Sequence, residues 1–206
     1  MNKIYRKYIK RFLDVFLSIL ALIVLAIPMA IVALLVAVKL GRPVLFVQDR
    51  PGKDEKIFKI LKFRTMTNET DENGNLLPDD VRLTKFGECL RKLSIDELPQ
   101  LINIIKGDMS IIGPRALLVE YLPLYTEEEK IRHTVRPGLT NLVAVKGRNT
   151  VEMKDKLQYD IYYVENLSFK LDLYILINTV LAVLKREGTD LEEANKMQDY
   201  AMSDKR

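Results

Sequence analysis

A chain of 206 residues, 48% hydrophobic and 29% charged, is long enough for one ordinary domain plus an appendage, and its composition excludes a disordered polymer. The net charge of +4 and pI of about 9.0 suit a membrane surface, a nucleic acid or a phosphorylated substrate without choosing among them. One cysteine, Cys89, excludes an internal disulfide, and one histidine, His133, excludes a structural zinc site built from Cys and His ligands and leaves any Ser-His-Asp or Cys-His machinery to that single residue.

Residues 1–11 carry Lys3, Arg6, Lys7, Lys10 and Arg11. From Val15 to Val38 the only hydrophilic side chain is Ser18. A run of about 20 apolar residues is enough to cross a bilayer. It is too long for the apolar core of a signal peptide, and no small-x-small cleavage site follows it. A helix buried in a soluble core rarely stays apolar on all sides for this length. Pro28 lies near the middle, where it removes a backbone hydrogen bond and kinks a helix. Lys39 and Arg42 follow the run, so both flanks are positive and the positive-inside rule places both in the cytoplasm. A helix bent at Pro28 that enters and leaves by one leaflet satisfies both facts. A single-pass helix with a tolerated proline is the alternative. Asp14, at the charged boundary, is placed to pair with a nearby Arg or Lys.

Pro43–Gln48 and Lys56–Arg64 read as strands joined through the turn signal Pro51-Gly52, hence a β-hairpin. Met66–Asp80 is polar, with Asn73-Gly74 and Pro78, and reads as a loop. A short helix is expected over Leu83–Leu93 and a second over about Asp96–Ile105, stopping at Lys106-Gly107. Ser110–Ile112 reads as a short strand before Gly113-Pro114-Arg115, and short helical pieces follow from Leu117 to Arg132. A loop then contains Arg136-Pro137-Gly138 and Gly147-Arg148-Asn149. Val151–Glu165 reads as a tyrosine-rich helix. Leu171–Lys185 is amphipathic, with Leu173, Leu176, Ile177, Val180, Leu181 and Leu184 available for an apolar face. That face packs on a core more often than it lies in a membrane interface. The tail after Glu187 is polar, and no internal repeat is present.

Without a usable histidine pair, catalysis falls to carboxylates, with lysine and arginine as electrostatic partners. Ser94-Ile95-Asp96-Glu97-Leu98-Pro99 puts adjacent carboxylates at a helix start, with Ser94 and Glu97 at capping-box spacing. The positive end of a helix dipole keeps such carboxylates ionised and also holds phosphate. An ionised carboxylate beside a bound phosphate is how an aspartyl-phosphate intermediate forms, and a divalent ion, Mg²⁺ by preference, offsets their repulsion. Asp-Glu is also simply a favourable helix start. Lys62, Arg64, Arg91, Lys92, Arg115, Arg136 and Arg148 lie in or beside turns and element ends, where they either clamp phosphate or stand as solvated charges. Arg115 stands out because Gly113-Pro114 constrains the backbone before it. His133 reads as structural, and Tyr159, Tyr162 and Tyr163 as core or interface residues.

The order of segments resembles the bacterial sugar transferases, specifically the small monotopic phosphoglycosyl transferases. The resemblance runs from about residue 6 to 186. It rests on the basic apolar N-terminus with Pro28, then Phe46-Val47-Gln48-Asp49-Arg50-Pro51-Gly52, Lys62-Phe63-Arg64-Thr65-Met66 and Ser94-Ile95-Asp96-Glu97-Leu98-Pro99-Gln100-Leu101. Lys106-Gly107-Asp108-Met109-Ser110, Gly113-Pro114-Arg115, Val135-Arg136-Pro137-Gly138, Gly147-Arg148-Asn149 and Tyr159-Asp160-Ile161-Tyr162-Tyr163 follow in order. One such motif is weak; the ordered series is specific.

The resemblance implies a mainly helical α+β fold: an N-terminal re-entrant membrane helix hairpin bent at Pro28 (1–40), a cytoplasmic catalytic domain (41–187) with a small β-hairpin and amphipathic interfacial helices, and a polar tail (188–206). It implies a ping-pong reaction at the bacterial cytoplasmic membrane. Asp96 attacks the β-phosphate of a UDP-sugar and expels UMP, and polyprenyl (undecaprenyl) phosphate then takes the sugar phosphate. Glu97 completes the catalytic dyad, Asp96 and Glu97 hold Mg²⁺, and Lys62, Arg91 and Arg115 stabilise substrate phosphate. Arg136 and Arg148 fall on the nucleotide-sugar side. A phospholipid membrane and downstream glycosyltransferases complete the implied partners; nucleic acid is not among them, since basic and acidic residues are interspersed. The chain departs from the pattern at Ile27 before Pro28, where serine is usual, and at Ala116, where proline is usual. Asn141-Leu142-Val143 and Lys146 also stand where Gly-Trp-Ala and Asn are common. Two other readings remain open at this point: a direct glycosyl transferase releasing UDP, and a membrane-tethered scaffold without catalysis.

Overall fold

The computed structural model describes residues 3–147 and 151–185. The chain opens with a π-helical turn, Tyr5–Ile9, that runs into α1 (Lys10–Lys39). One helix passes through Pro28. Its buried stripe recurs at helical spacing along its length. Asp14, Ser18 and Val36 are buried, and Leu22, Leu25, Met29 and Val32 pack between them against the domain. The opposite face exposes Phe12, Phe16, Leu20, Ile23, Ile27, Ile31 and Leu34. An apolar face of this length is stable against lipid and not against water, so the helix associates with a membrane.

β1 (Leu45–Pro51) and β2 (Ile57–Phe63) form the expected antiparallel hairpin, in register from Leu45 opposite Phe63 to Pro51 opposite Ile57. Residues 64–78 are largely irregular, and α2 (Asp79–Arg82) precedes α3 (Lys85–Lys92). Thr84 caps α3 by accepting from the Gly87 N–H at 3.1 Å. Pro99 splits the expected second helix. Ile95–Glu97 is a single 3₁₀ turn, and α4 begins only at Gln100, running to Lys106. Asn103, 1% exposed, ties α4 to the hairpin: its side chain accepts from Leu61 N–H at 3.1 Å and donates to the Lys59 carbonyl at 2.8 Å.

β3 (Ser110–Ile112) pairs in parallel with β4 (Gly138–Thr140), a strand the sequence reading placed within a loop. Three residues are too short for alternation to show. The two strands approach so closely that a Cβ on Gly138 would lie 2.1 Å from the Gly113 nitrogen, which excludes any side chain there. α5 (Leu142–Lys146), α6 (Met153–Glu165) and α7 (Phe169–Lys185) complete the described chain.

The largest core cluster joins the two ends of this arrangement, with Tyr5 packed among Ile112, Tyr163, Val164, Leu167 and Ile175. Asp172, 4% exposed, is its polar centre. It accepts from Tyr5 Oη at 2.6 Å, Lys10 Nζ at 2.7 Å and Tyr163 Oη at 2.7 Å. Asp14 feels the charges of the nearby Lys10 and Arg11, as expected, but its hydrogen bonds come from elsewhere: it accepts from the Ser110 hydroxyl at 2.8 Å and the Ile111 N–H at 3.0 Å, anchoring α1 to β3. α7 divides its apolar residues: Leu171 and Leu176 pack against the core as expected, and most of the named face does not. Ile175 is buried, whereas Leu173, Ile177, Val180 and Leu181 are exposed. The Leu184 side chain lies outside the described residues.

Gly87 marks where α3 meets the end of the hairpin. A Cβ there would lie 1.8 Å from the Thr65 carbonyl oxygen, a backbone atom that has no way to rotate aside. Gly87→Ala is therefore expected to cost about 3 kcal/mol, read as a thermal midpoint lower by about 10 °C in detergent solution. An unchanged midpoint would mean that α3 is not seated on Thr65.

Candidate active site

The dyad sits between α3 and α4. Ser94 adopts a left-handed conformation (φ 54°) and makes no side-chain cap, so the expected capping box does not form. Asp96 is 7% exposed and Glu97 lies at its side on the same 3₁₀ turn. Lys62, near the end of β2, places Nζ 2.7 Å from Glu97 Oε1, and Arg115, after β3, places Nη2 3.2 Å from the same oxygen. Arg91, on the last turn of α3, donates through Nε to Thr65 Oγ1 at 2.9 Å and adds its charge to the field at Asp96. A strand, a strand-end turn and a helix thus bring Lys62, Arg115 and Arg91 together around the two carboxylates.

Their environments drive the carboxyl groups apart. Burial, and then the negative charge of Glu97, push Asp96 up to about 6, against the pull of Lys62, Arg91 and Arg115. Burial also opposes ionisation of Glu97, but Lys62 and Arg115 outweigh it and hold that group well below the usual range. Asp96 is therefore not held ionised by a helix start, as its sequence position suggested; it is the more basic member of the pair. Two neighbouring acids separated in this way suit two different roles. Asp96 offers the more nucleophilic carboxylate, and Glu97 is a fixed anion already gripped by two cations.

The other expected site residues fall elsewhere. Arg136 lies at the far end of α4, donating through Nε to the Gly107 carbonyl at 2.8 Å. There it borders a surface pocket of about 480 Å³ with Lys53, Lys56, Phe58 and Asp108. Arg11 shares that helix end, donating to the carbonyls of Ile104 and Ile105 at 2.7 and 3.0 Å. Arg148 lies outside the described residues. Arg64 serves structure, its guanidinium donating to the carbonyls of Leu40 and Arg42 where α1 ends. His133 is buried, its Nδ1 3.3 Å from the Gly52 carbonyl. Tyr163 is buried in the core, as expected, and Tyr162 is half-exposed. Thr65 and Asn103 hold Arg91 and β2 in place, and residue type alone gave no sign of either.

Among the described residues, no group of three or more His, Cys, Asp and Glu side chains converges. The dyad alone still fits Mg²⁺, which binds through one or two carboxylates and takes its other ligands from phosphate oxygens and water.

Residues 5–186 match the family described as bacterial sugar transferase. The uncharacterized sugar transferase EpsL of Bacillus subtilis (strain 168) is 56% identical over 154 residues, covering 75% of this chain and 76% of the relative. The UDP-N-acetylgalactosamine-undecaprenyl-phosphate N-acetylgalactosaminephosphotransferase of Aeromonas hydrophila is 36% identical over 163 residues, 75% of this chain and 38% of that longer protein. The undecaprenyl-phosphate galactose phosphotransferase of Salmonella typhimurium is 35% identical over 165 residues, 72% of this chain and 35% of its own length.

Proposed function

Because the chain belongs to the bacterial sugar transferase family, we propose that it moves a sugar phosphate from a UDP-sugar to polyprenyl (undecaprenyl) phosphate at the cytoplasmic face of the bacterial inner membrane. The names of the Aeromonas and Salmonella relatives describe phosphosugar transfer to the same kind of lipid phosphate. The observation that carries the reading is the split dyad: a buried, basic Asp96 beside a Glu97 held by Lys62 and Arg115.

A carboxylate oxygen of Asp96 attacks the β-phosphorus. The bond from that phosphorus to the bridging oxygen breaks, and UMP departs with the oxygen and its electron pair. An oxygen of polyprenyl phosphate then attacks the sugar-phosphoryl aspartate. The phosphorus–aspartate bond breaks, the carboxylate is restored, and polyprenyl diphosphosugar is released. Lys62, Arg91 and Arg115 surround the place where phosphate charge builds up, and their positions are fixed beforehand by Glu97 and Thr65. Asp96 and Glu97 would hold Mg²⁺, which when bound neutralises diphosphate charge.

We infer further that α1 is re-entrant. Residues before Pro28 pack on β3 and α4, and residues after it pack on Phe63 and Leu90 of the same domain. A spanning helix would carry one half away from that domain. Cysteines placed at Lys3 and at Lys39, with Cys89 replaced, are expected to resist a membrane-impermeant thiol reagent in intact cells and to react after permeabilisation. Labelling of either site from outside would overturn the arrangement.

The reaction is tested by incubating purified protein with Mg²⁺, undecaprenyl phosphate and a panel of UDP-sugars. UMP and a lipid diphosphosugar are the expected products. Release of UDP would replace phosphoglycosyl transfer with direct glycosyl transfer, and no nucleotide release across a broad panel would refute catalysis of this class.

A further inference from the structure

Arg115 lies on the turn that follows β3, its side chain 43% exposed, and reaches Glu97 from there. A half-exposed arginine is a useful phosphate clamp only if its backbone is held. The upstream side of the turn is fixed by the Gly138 N–H donating to the Pro114 carbonyl at 2.9 Å. The carbonyl of Ala116, one residue downstream, accepts from Arg50 Nη1 at 3.2 Å. The carbonyl of Arg115 itself accepts from a second arginine: Arg132 Nη2, at 2.6 Å.

Arg132 is 3% exposed, and so is its partner Asp160 on α6. Nε and Nη2 of Arg132 both donate to Asp160 Oδ2, at 3.1 and 2.8 Å. Nη1 donates to the Tyr125 hydroxyl at 2.8 Å. The planar fork thus spends its donors on α6, on Tyr125 and on the backbone of Arg115. A lysine, with one nitrogen, has no such reach. Buried ion pairs are weak as a source of stability, because removing two charges from water offsets most of their attraction. Fold stability alone is a poor reason for this pair, whereas the bond from its fork to the Arg115 carbonyl gives it a task.

We propose that Arg132 and Asp160 are positioning residues for the transferase reaction: Asp160 orients the Arg132 fork, which fixes the Arg115 backbone and so aims the Arg115 guanidinium at Glu97 and the transferred phosphate. The inference rests on the phosphoglycosyl transfer reading above. Both residues are buried, so the effect passes through the Arg115 backbone, and a displacement of the clamp of about 1 Å is enough to lower a rate about a hundredfold.

The test is a double-mutant cycle on UMP release by the full-length protein. Arg132→Lys is expected to lower kcat about a hundredfold with little change in KM for the UDP-sugar. Arg115→Ala is expected to abolish most activity by itself. In the Arg115→Ala background, Arg132→Lys is expected to do almost nothing more, because its effect passes through a side chain that is gone. If instead the two losses multiply, Arg132 acts independently of Arg115 and the proposal falls. Should Arg132→Lys not fold, judged by thermal melting, Asp160→Asn carries the same cycle, since it keeps the shape and an acceptor. If that variant also fails to fold, the pair is a folding element and the positioning role is refuted. Absence of UMP release by the parent protein would instead refute the transferase reading.

Discussion

Asp96→Asn is expected to lower UMP release by about 10³-fold or more and to leave no sugar-phosphate adduct on the protein by intact mass. The side chain keeps its size, so the loss reports the nucleophile and not the packing around it. The same substitution is expected to raise the thermal midpoint in metal-free buffer. In the folded protein Asp96 titrates near 6, above its unfolded value of 3.8. Ionisation is thus less favourable in the folded state. That penalty is fully present above about pH 6, shrinks as pH falls, and is gone below 3.8. Asn removes it, so the gain in midpoint follows the same window. A variant that is inactive and also less stable above pH 6 would mean that the Asp96 carboxylate holds the fold together, contrary to its burial. An adduct that persists in Asp96→Asn would move the nucleophile elsewhere.

Lys62→Met is expected to reduce kcat about 10²-fold, since in the proposed reaction it strips a fixed cation from the place where phosphate charge accumulates. It also leaves Glu97 with Arg115 alone. The side chains of Lys62 and Glu97 are 20% and 16% exposed, so the stability cost is expected at about 1–2 kcal/mol, short of what a fully buried pair loses. Both carboxyl groups lose a cation that pulls them down, and Asp96 rises further. The nucleophile must be ionised, so the acidic limb of kcat/KM is expected to move to higher pH in Lys62→Met. A limb that stays in place while kcat falls would separate Lys62 from the Asp96 charge and confine it to substrate contact.

Residue type left two readings each for Asp96-Glu97 and for the cations, and the ordered series of motifs, through its family resemblance, singled them out. Asp96-Glu97, Lys62, Arg91 and Arg115 each sit in a short recognisable segment, and the structure gathers them at one place. The hairpin and α6 showed in their patterns as well. What did not show depends on partners distant in the sequence. Asp14 stands among visible cations yet takes its hydrogen bonds from Ser110 and Ile111. Arg132 and Asp160 are 28 residues apart, with no periodic relation to announce them. The apolar side of α7 was visible as a side, but amphipathicity says which face is apolar and not whether protein or lipid covers it. Local pattern likewise gave the wrong reason for the charge state of Asp96. A helix start suggests an ionised carboxylate, whereas the burial that decides the matter comes from the surrounding fold.

The Asp172 centre has a consequence for how the chain comes to be made. Tyr5 and Lys10 leave the ribosome 167 and 162 positions before the carboxylate they serve. Throughout synthesis the apolar helix is complete while the contacts that seat its base do not yet exist. Closing so large a loop is slow and entropically costly for a free chain. Early lodging of that helix in lipid shelters its apolar face during the wait and keeps its foot at the surface where α7 later arrives. A ribosome-stalled chain ending before Asp172 would then be a membrane-held intermediate, committed to its bilayer before it has a closed core.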